Sequence, residues 1–288
     1  MDIRTRALRE VCEPIGANVY FAPEAQQRYA ALGLNYMSGY FTSRGASLGH
    51  VHGLVVTAAF GVFSPAIVVP AVDEGWSKTD RPTILQARYD GATASLRRLL
   101  GEPDARAIDR AVELLLRGLE VAEVAGHPLF SGLRALPFPG EPIGRLWRVC
   151  DMVREHRGDS HIAAWTRAGV RPVEIQLMSD VLMRIPLKSF SRTRGWTDEQ
   201  MDAAIAGMRE KGWLDEAGFT SEGRRLRDAI ESDTDDMEIN IVDAIGKDFD
   251  ELIGILRPWA AVIVEAGIAG GGYPGNASSL ASIGRASG

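Results

Sequence analysis

Residues 195–226 read GWTDEQMDAAIAGMREKGWLDEAGFTSEGRRL, and the run carries its own punctuation. Thr197-Asp198-Glu199-Gln200 has the form of a capping box, in which the threonine oxygen and the glutamine amide satisfy backbone groups left orphaned at a helix start. Met201, Ile205 and Met208 then recur at helical spacing, and Gly212 follows Lys211 as a terminator. Trp213-Leu214 and Phe219-Thr220, separated by Asp215-Glu216-Ala217-Gly218, read as two very short strands around a turn. Ser221 caps a further helix through Ile230.

Outward from this run the chain is helical, with Pro at starts and Gly at ends. Helices are expected over 23–32, 82–100 and from Pro103 toward Gly126 in the first part. In the second part they are expected over 142–156, stopped by Gly158, then over 162–168, 173–183 and 249–266, the last kinked or interrupted at Pro258. The two parts echo each other in order. Leu8-x-x-Val11-Cys12-Glu13, Arg44-Gly45-Ala46-Ser47, Gly75-Trp76-Ser77 and Val124-Ala125-Gly126 match Leu146-x-x-Val149-Cys150-Asp151, Arg157-Gly158-Asp159-Ser160, Gly195-Trp196-Thr197 and Glu265-Ala266-Gly267. Four collinear matches favour an internal duplication. The halves are then 1–127 and 142–268, joined by a Pro/Gly-rich linker at 128–141 and followed by a mobile Gly/Ser/Ala tail at 269–288.

At 288 residues, 45% hydrophobic and 24% charged, the chain is a globular protein able to bury one large core or two ordinary ones. A net charge of −6 gives no general attraction to phosphate backbones or anionic lipid. Residues 45–72 carry no Asp, Glu, Lys or Arg, a length that could cross a bilayer, but Pro65, Pro70, His50 and His52 argue for a buried helix and against a membrane partner. Cys12 and Cys150 fall on apolar faces and are read as buried thiols in a reducing cytoplasm.

The order helix, helix, capped helix, hairpin, long helix resembles the winged helix-turn-helix of the MarR family. Thr197 to Lys211 stands as the recognition-helix equivalent, Lys211-Gly212-Trp213-Leu214 as the entry to the wing, and Phe219 to Leu226 as the strand and following helix. The whole chain, with Val19-Tyr20-Phe21-Ala22-Pro23-Glu24 and Arg154-Glu155-His156-Arg157-Gly158-Asp159, also resembles a bacterial helix-turn-helix family labelled SalK-like, from which no activity carries over. MarR proteins are dimers joined by their terminal helices. The resemblance therefore implies a mainly α fold: a tandem pseudo-dimer of MarR-like helical units, of which only the second keeps a degenerate winged helix, at about 172–231. Between Gly75 and Gly101 the first unit has no room for a wing. The surviving one is acidic, with Asp198, Glu199, Asp202, Glu210, Asp215, Glu216 and Glu222 against Arg209 and Lys211, which disfavours phosphate contact. Arg192, Arg194, Arg224, Arg225 and Arg227 flank it and keep a displaced basic surface as the alternative.

Candidate chemistry lies in three places. Arg154 to His161 is a dense polar run, placed at a helix end and tight turn, where Arg157 could hold an anion while His156 or His161 moves a proton, oriented by Glu155 or Asp159. The competing structural reading has Arg and His complementing a helix C-terminus and Asp159-Ser160 capping the next helix. Tyr20, Tyr40, Arg44 and His50 belong to, or border, a segment after Cys12 that the second half lacks, and are the expected lining of a ligand pocket. His50 and His52 form a weak metal pattern, with His156 or His161 as a third ligand; no cofactor is specified and a metal is not the favoured reading. The sequence reading is a protein, monomeric or homodimeric, that binds a small aromatic or anionic molecule between its halves. The alternatives are an enzyme using His-based acid/base or metal-assisted chemistry, and a MarR-type transcriptional regulator.

Overall fold

The structure, a computed structural model, describes residues 3–267 and is mainly helical. The first part holds α1 (Ile3–Ala17), α2 (Pro23–Ala31), α3 (Tyr36–Gly45), α4 (Gly53–Phe60), α5 (Pro65–Lys78), α6 (Arg81–Leu100) and α7 (Ala105–Glu120). The second holds α8 (Pro128–Arg134), α9 (Pro142–Arg167), α10 (Pro172–Leu182), α11 (Asp198–Glu210), α12 (Ser221–Met237), α13 (Ile239–Ile245) and α14 (Phe249–Glu265). The expected tail at 269–288 lies outside the described residues.

The apolar stripes of α1 and α9 decide the packing. Leu8, Val11, Cys12 and Ile15 on α1 meet Leu146, Val149, Cys150 and Val153 on α9 in the largest core, with α7 and α14 closing it. Both thiols are free and buried, and they touch, so burial and the neighbouring Cys12 push the Cys150 thiol well above its ordinary range. At Gly16 the two backbones come close enough that a Cβ would stand 3.0 Å from the Asp151 nitrogen, and Trp147 Nε1 donates to the Gly16 carbonyl at 3.1 Å. Two smaller clusters flank this centre. Phe41, Val56, Phe60, Phe63, Val68 and Val72 join α3, α4 and α5, while Trp165, Leu177, Met178, Met201, Ile205 and Met208 join the end of α9 to α10 and α11.

The two flanking lobes are docked on each other. Ser64 N–H donates to the Arg194 carbonyl at 2.9 Å and Trp196 Nε1 donates to the Val62 carbonyl at 3.0 Å. The Arg194 guanidinium lies 4.1 Å from the Phe190 ring and 4.8 Å from that of Phe63.

The capping box at Thr197 forms as expected, with Gln200 N–H donating to Thr197 Oγ1 and Thr197 N–H to Gln200 Oε1. Several expectations need correction. The hairpin is reduced to a single bridge between Leu214 and Phe219, closed by the four-residue turn at Asp215–Gly218, where Gly218 adopts a φ of 122°. Thr220, one residue earlier than expected, caps α12, which continues to Met237. Gly158 does not stop a helix: α9 runs through it to Arg167. The mid-helix glycine costs about 1 kcal/mol against alanine, and packing of α9 against α1, α7, α8 and α12 outweighs that. Pro70 and Pro258 likewise sit inside α5 and α14 without ending them. The uncharged stretch 45–72 is divided at Gly61, φ 70°, and among the described residues no helix is long and apolar enough to cross a membrane. Residues 128–141, read as a linker, include α8, whose Leu129, Phe130 and Leu133 are buried.

Because the α1–α9 approach is backbone to backbone, a larger residue cannot be absorbed by a rotamer change. Gly16→Leu is expected to destabilise the chain by about 1–3 kcal/mol in urea unfolding; an unchanged midpoint would mean that the crossing is looser than described.

Candidate functional site

A buried charged network fills the space where α1, α3 and α6 face α9. Arg44, on the last turn of α3, clasps Glu155 with two parallel bonds, Nε to Oε1 and Nη2 to Oε2, both 2.7 Å. Arg154 Nη1 adds a third bond to Glu155 at 2.8 Å and its Nε donates to Glu13 of α1 at 3.0 Å. The Tyr20 hydroxyl sits at the junction, donating to Glu155 Oε1 at 3.2 Å and receiving Arg88 Nη2 at 3.0 Å and Arg154 Nη1 at 3.2 Å. Arg88 also pairs with Asp151 at 3.1 Å. Tyr40 receives Arg44 Nη1 at 3.3 Å and packs edge-on against Tyr20, ring centroids 5.1 Å apart.

Burial drives these groups apart electrostatically. It would push the Glu155 carboxyl up, but Arg44 and Arg154 outweigh it and hold the group down at about 2. Asp151, facing chiefly Arg88, is still raised by its burial. Burial also raises Tyr20, which therefore stays a neutral phenol.

A second polar cluster lies on another face of α9. The His127 and His156 rings stack at 3.9 Å, within 5° of parallel, and Phe130 meets His156 edge-on at 5.0 Å. Glu238, between α12 and α13, accepts from His156 Nδ1 at 2.8 Å and from Ser160 Oγ at 2.7 Å, while Ser160 Oγ also lies 2.9 Å from His127 Nε2. His127 Nδ1 donates to the Ala125 carbonyl at 2.9 Å. Burial, with His156 adjacent, lowers the proton affinity of His127.

The run Arg154 to His161 is thus not one site. Each step along a helix turns the side chain by about 100°. Within a continuous α9 that rotation sends Glu155 to Arg44, His156 to Glu238, and Arg157 to Asp235 and Glu231 at 2.9 and 3.2 Å. Asp159 turns toward α8 instead of capping a following helix: its Oδ2 receives the N–H groups of Leu129 and Phe130 at 3.0 and 3.1 Å. His161 Nδ1 lies 3.1 Å from Thr234 Oγ1; burial and Arg227 lower it to about 4, so it is uncharged at neutral pH. Of the expected pocket residues, Tyr20, Tyr40 and Arg44 converge, and His50 does not, since it stacks on Trp76 at 4.3 Å. His52 Nδ1 receives the Leu54 N–H as the cap of α4. Neither His50 nor His52 belongs to the cluster of metal-type donors found among the described residues, His127, His156 and Glu238.

Sequence reasoning missed Arg88, Asp151, His127, Ser160 and Glu238. Arg88 had a visible signal, since it falls between Ile84 and Ala92 on one helix face that is otherwise apolar. His127 and Glu238 stand at helix junctions and had none.

Compared with known proteins, residues 5–270 match the profile of a helix-turn-helix family. The chain belongs to that helix-turn-helix family. The match covers both parts of the chain, not only the α10–α11 segment that carries the capping box. No curated protein matches it, and no solved structure does.

Two measurements test the electrostatics of the site. Glu155→Gln leaves Arg44 and Arg154 buried without their counter-charge and is expected to cost about 3–5 kcal/mol at neutral pH. Because the folded carboxyl is depressed, the wild-type advantage is full above the ordinary carboxylate range and fades as pH falls toward 2. Burial and the Glu155 charge raise Asp159 to about 7, so its sign is opposite: its contribution is full below pH 4 or so and lost as pH rises through 7. Wild type should therefore lose stability relative to Asp159→Asn between pH 5 and pH 8 in paired thermal melts; a constant difference would refute the assignment.

Proposed function

We propose that this helix-turn-helix protein binds a small aromatic or anionic organic molecule at the seam between two fused MarR-like halves, with a DNA-facing surface that has decayed. The observation that carries this reading is the convergence of Tyr20, Tyr40 and Arg44 from the first half on Arg154 and Glu155 from the second. Burying that many charges stabilises a fold poorly compared with apolar packing, whereas strongly displaced carboxyls are a signature of functional sites. Glu155 holds Arg44 with the same forked geometry that an organic carboxylate would use. An incoming acid competes with Glu155 for Arg44 while the tyrosine rings offer flat apolar walls. A narrow cleft bordered by Cys12, Glu13, Arg154, Arg157 and Glu238 touches the same network.

Support for the fused halves comes from the α1–α9 crossing. Cys12 meets Cys150, its counterpart in the repeat. The Glu13–Arg154 contact is the mirror of the Asp151–Gly16 contact when each residue is exchanged for its counterpart. Helix α1 packs on α14 as α9 packs on α7. The Gly-Trp pairs depart from this symmetry, since Gly75 lies inside α5 and Gly195 is in a left-handed turn before α11.

Family membership favours a second reading, a DNA-binding regulator. Three observations weigh against it. The exposed residues of α11 include Asp198, Glu199, Asp202 and Glu210 against the single cation Arg209. Three of the basic side chains near it are already paired, Arg192 with Asp198 at 2.8 Å, Lys188 with Asp202 at 2.5 Å and Lys211 with Glu174 at 2.9 Å, while Arg209, Arg224 and Arg225 stay exposed. The turn leading into α11 is also held against the loop before α5, through Ser64 N–H to the Arg194 carbonyl and Trp196 Nε1 to the Val62 carbonyl.

Titration calorimetry of the full chain with benzoate and salicylate, set against uncharged benzamide, is expected to show carboxylate binding that Arg44→Lys weakens, because an ammonium cannot make the forked contact. Equal responses to benzoate and benzamide, or indifference to Arg44→Lys, would sink the seam assignment. In low-salt mobility shifts duplex DNA is expected to stay free; a sequence-specific complex lost in Arg192→Ala would give the regulator reading instead.

A further inference from the structure

We propose that His127, His156 and Glu238 form a binding site for one divalent transition-metal ion of the zinc or iron type, separate from the Arg44–Glu155 seam. One nitrogen from each ring and one carboxylate oxygen lie within 4.8 Å of one another, and all three residues are buried. They come from three places in the chain: His127 from the start of α8, His156 from the middle of α9, and Glu238 from the break between α12 and α13.

Hydrogen counting shows that the cluster is short of donors. His127 Nδ1 faces a carbonyl, so that nitrogen carries the hydrogen and Nε2 presents a lone pair toward Ser160. Ser160 has one hydroxyl hydrogen, yet its oxygen sits within bonding distance of two acceptors, His127 Nε2 and Glu238 Oε1. His156 uses Nδ1 toward Glu238, and its Nε2, on a side chain 1% exposed, has no hydrogen-bond partner. Surplus lone pairs around one buried carboxylate are the complement of a cation. The bond from His127 Nδ1 to a backbone carbonyl is also the outer contact that fixes the tautomer of a metal-ligating histidine.

The donor set selects the metal. Two imidazoles and one carboxylate suit zinc or ferrous iron, whereas calcium and magnesium take oxygen ligands. Three protein ligands leave further positions for water or a bound molecule, and Glu238 also borders the narrow cleft. The nearly parallel rings must tilt out of their stack for both nitrogens to aim at one ion, with Ser160 released to an outer position.

The test uses the full chain stripped with a chelator and titrated with Zn²⁺ by calorimetry and with Co²⁺ by visible absorption. One equivalent is expected to bind. His127→Ala and Glu238→Gln should each weaken it by more than about 100-fold, since even outer partners of metal ligands contribute about 10–100-fold. The double variant His50→Ala, His52→Ala should bind as wild type does. Circular dichroism checks folding; should His127→Ala not fold, the near-isosteric Glu238→Gln and the nitrogen-ligand bands of the wild-type Co²⁺ spectrum carry the test. Absence of stoichiometric binding by folded wild type overturns the proposal. So does binding indifferent to Glu238→Gln, or binding lost with His50 and His52.

Discussion

The close crossing of α1 and α9 is the constraint from which the other features follow. Glycine at position 16 leaves room for this close approach, and the indole of Trp147 reinforces it by donating to the Gly16 carbonyl. With that angle set, the long α9 becomes a shared axle. Its apolar stripe completes the central core, its far end with Trp165 founds the α10–α11 cluster, and its polar positions radiate to α3, α8 and α12. Both candidate sites are therefore built on one rigid element, which favours precise placement of their side chains.

What the sequence made legible was local. The Thr197 capping box and the glycines at 33, 101 and 212 report backbone groups and left-handed turns that a short window contains in full, and the helices end beside them as expected. Of the residues grouped by the aromatic-rich segment after Cys12, Tyr20, Tyr40 and Arg44 come together around Glu155, whereas His50 stacks on Trp76. The continuity of α9 through Gly158 was not legible, since a modest local cost is overruled by packing against α1, α7, α8 and α12, contacts that no short window contains. That single misreading displaced the whole polar run: a turn gathers consecutive side chains, and a helix disperses them. Glu238 and His127 meet only because α12 and α8 both lie against α9. No periodicity announces such a meeting.

The charges tell a consistent story at two scales. At the surface of α11, Asp198 and Asp202 take up Arg192 and Lys188. Inside, the reverse holds: Arg44, Arg88 and Arg154 are neutralised by Glu155, Asp151 and Glu13 away from water, where each pairing has a larger effect. A helix-turn-helix scaffold has thus concentrated its electrostatic investment in the interior, and the outward face has been left with a surplus of negative charge.

The packing of α1 against both α9 and α14 also has a consequence for how the chain folds. Helix α1 is separated from α9 by more than a hundred residues and from α14 by more than two hundred, so its stripe of Leu8, Val11, Cys12 and Ile15 is covered only through contacts of long sequence separation. Early native-like order must arise instead among neighbours such as α4 and α5, which pair within a short stretch. Helix α1 is then expected to join the fold after those local pairs, since its cover depends on closing long loops.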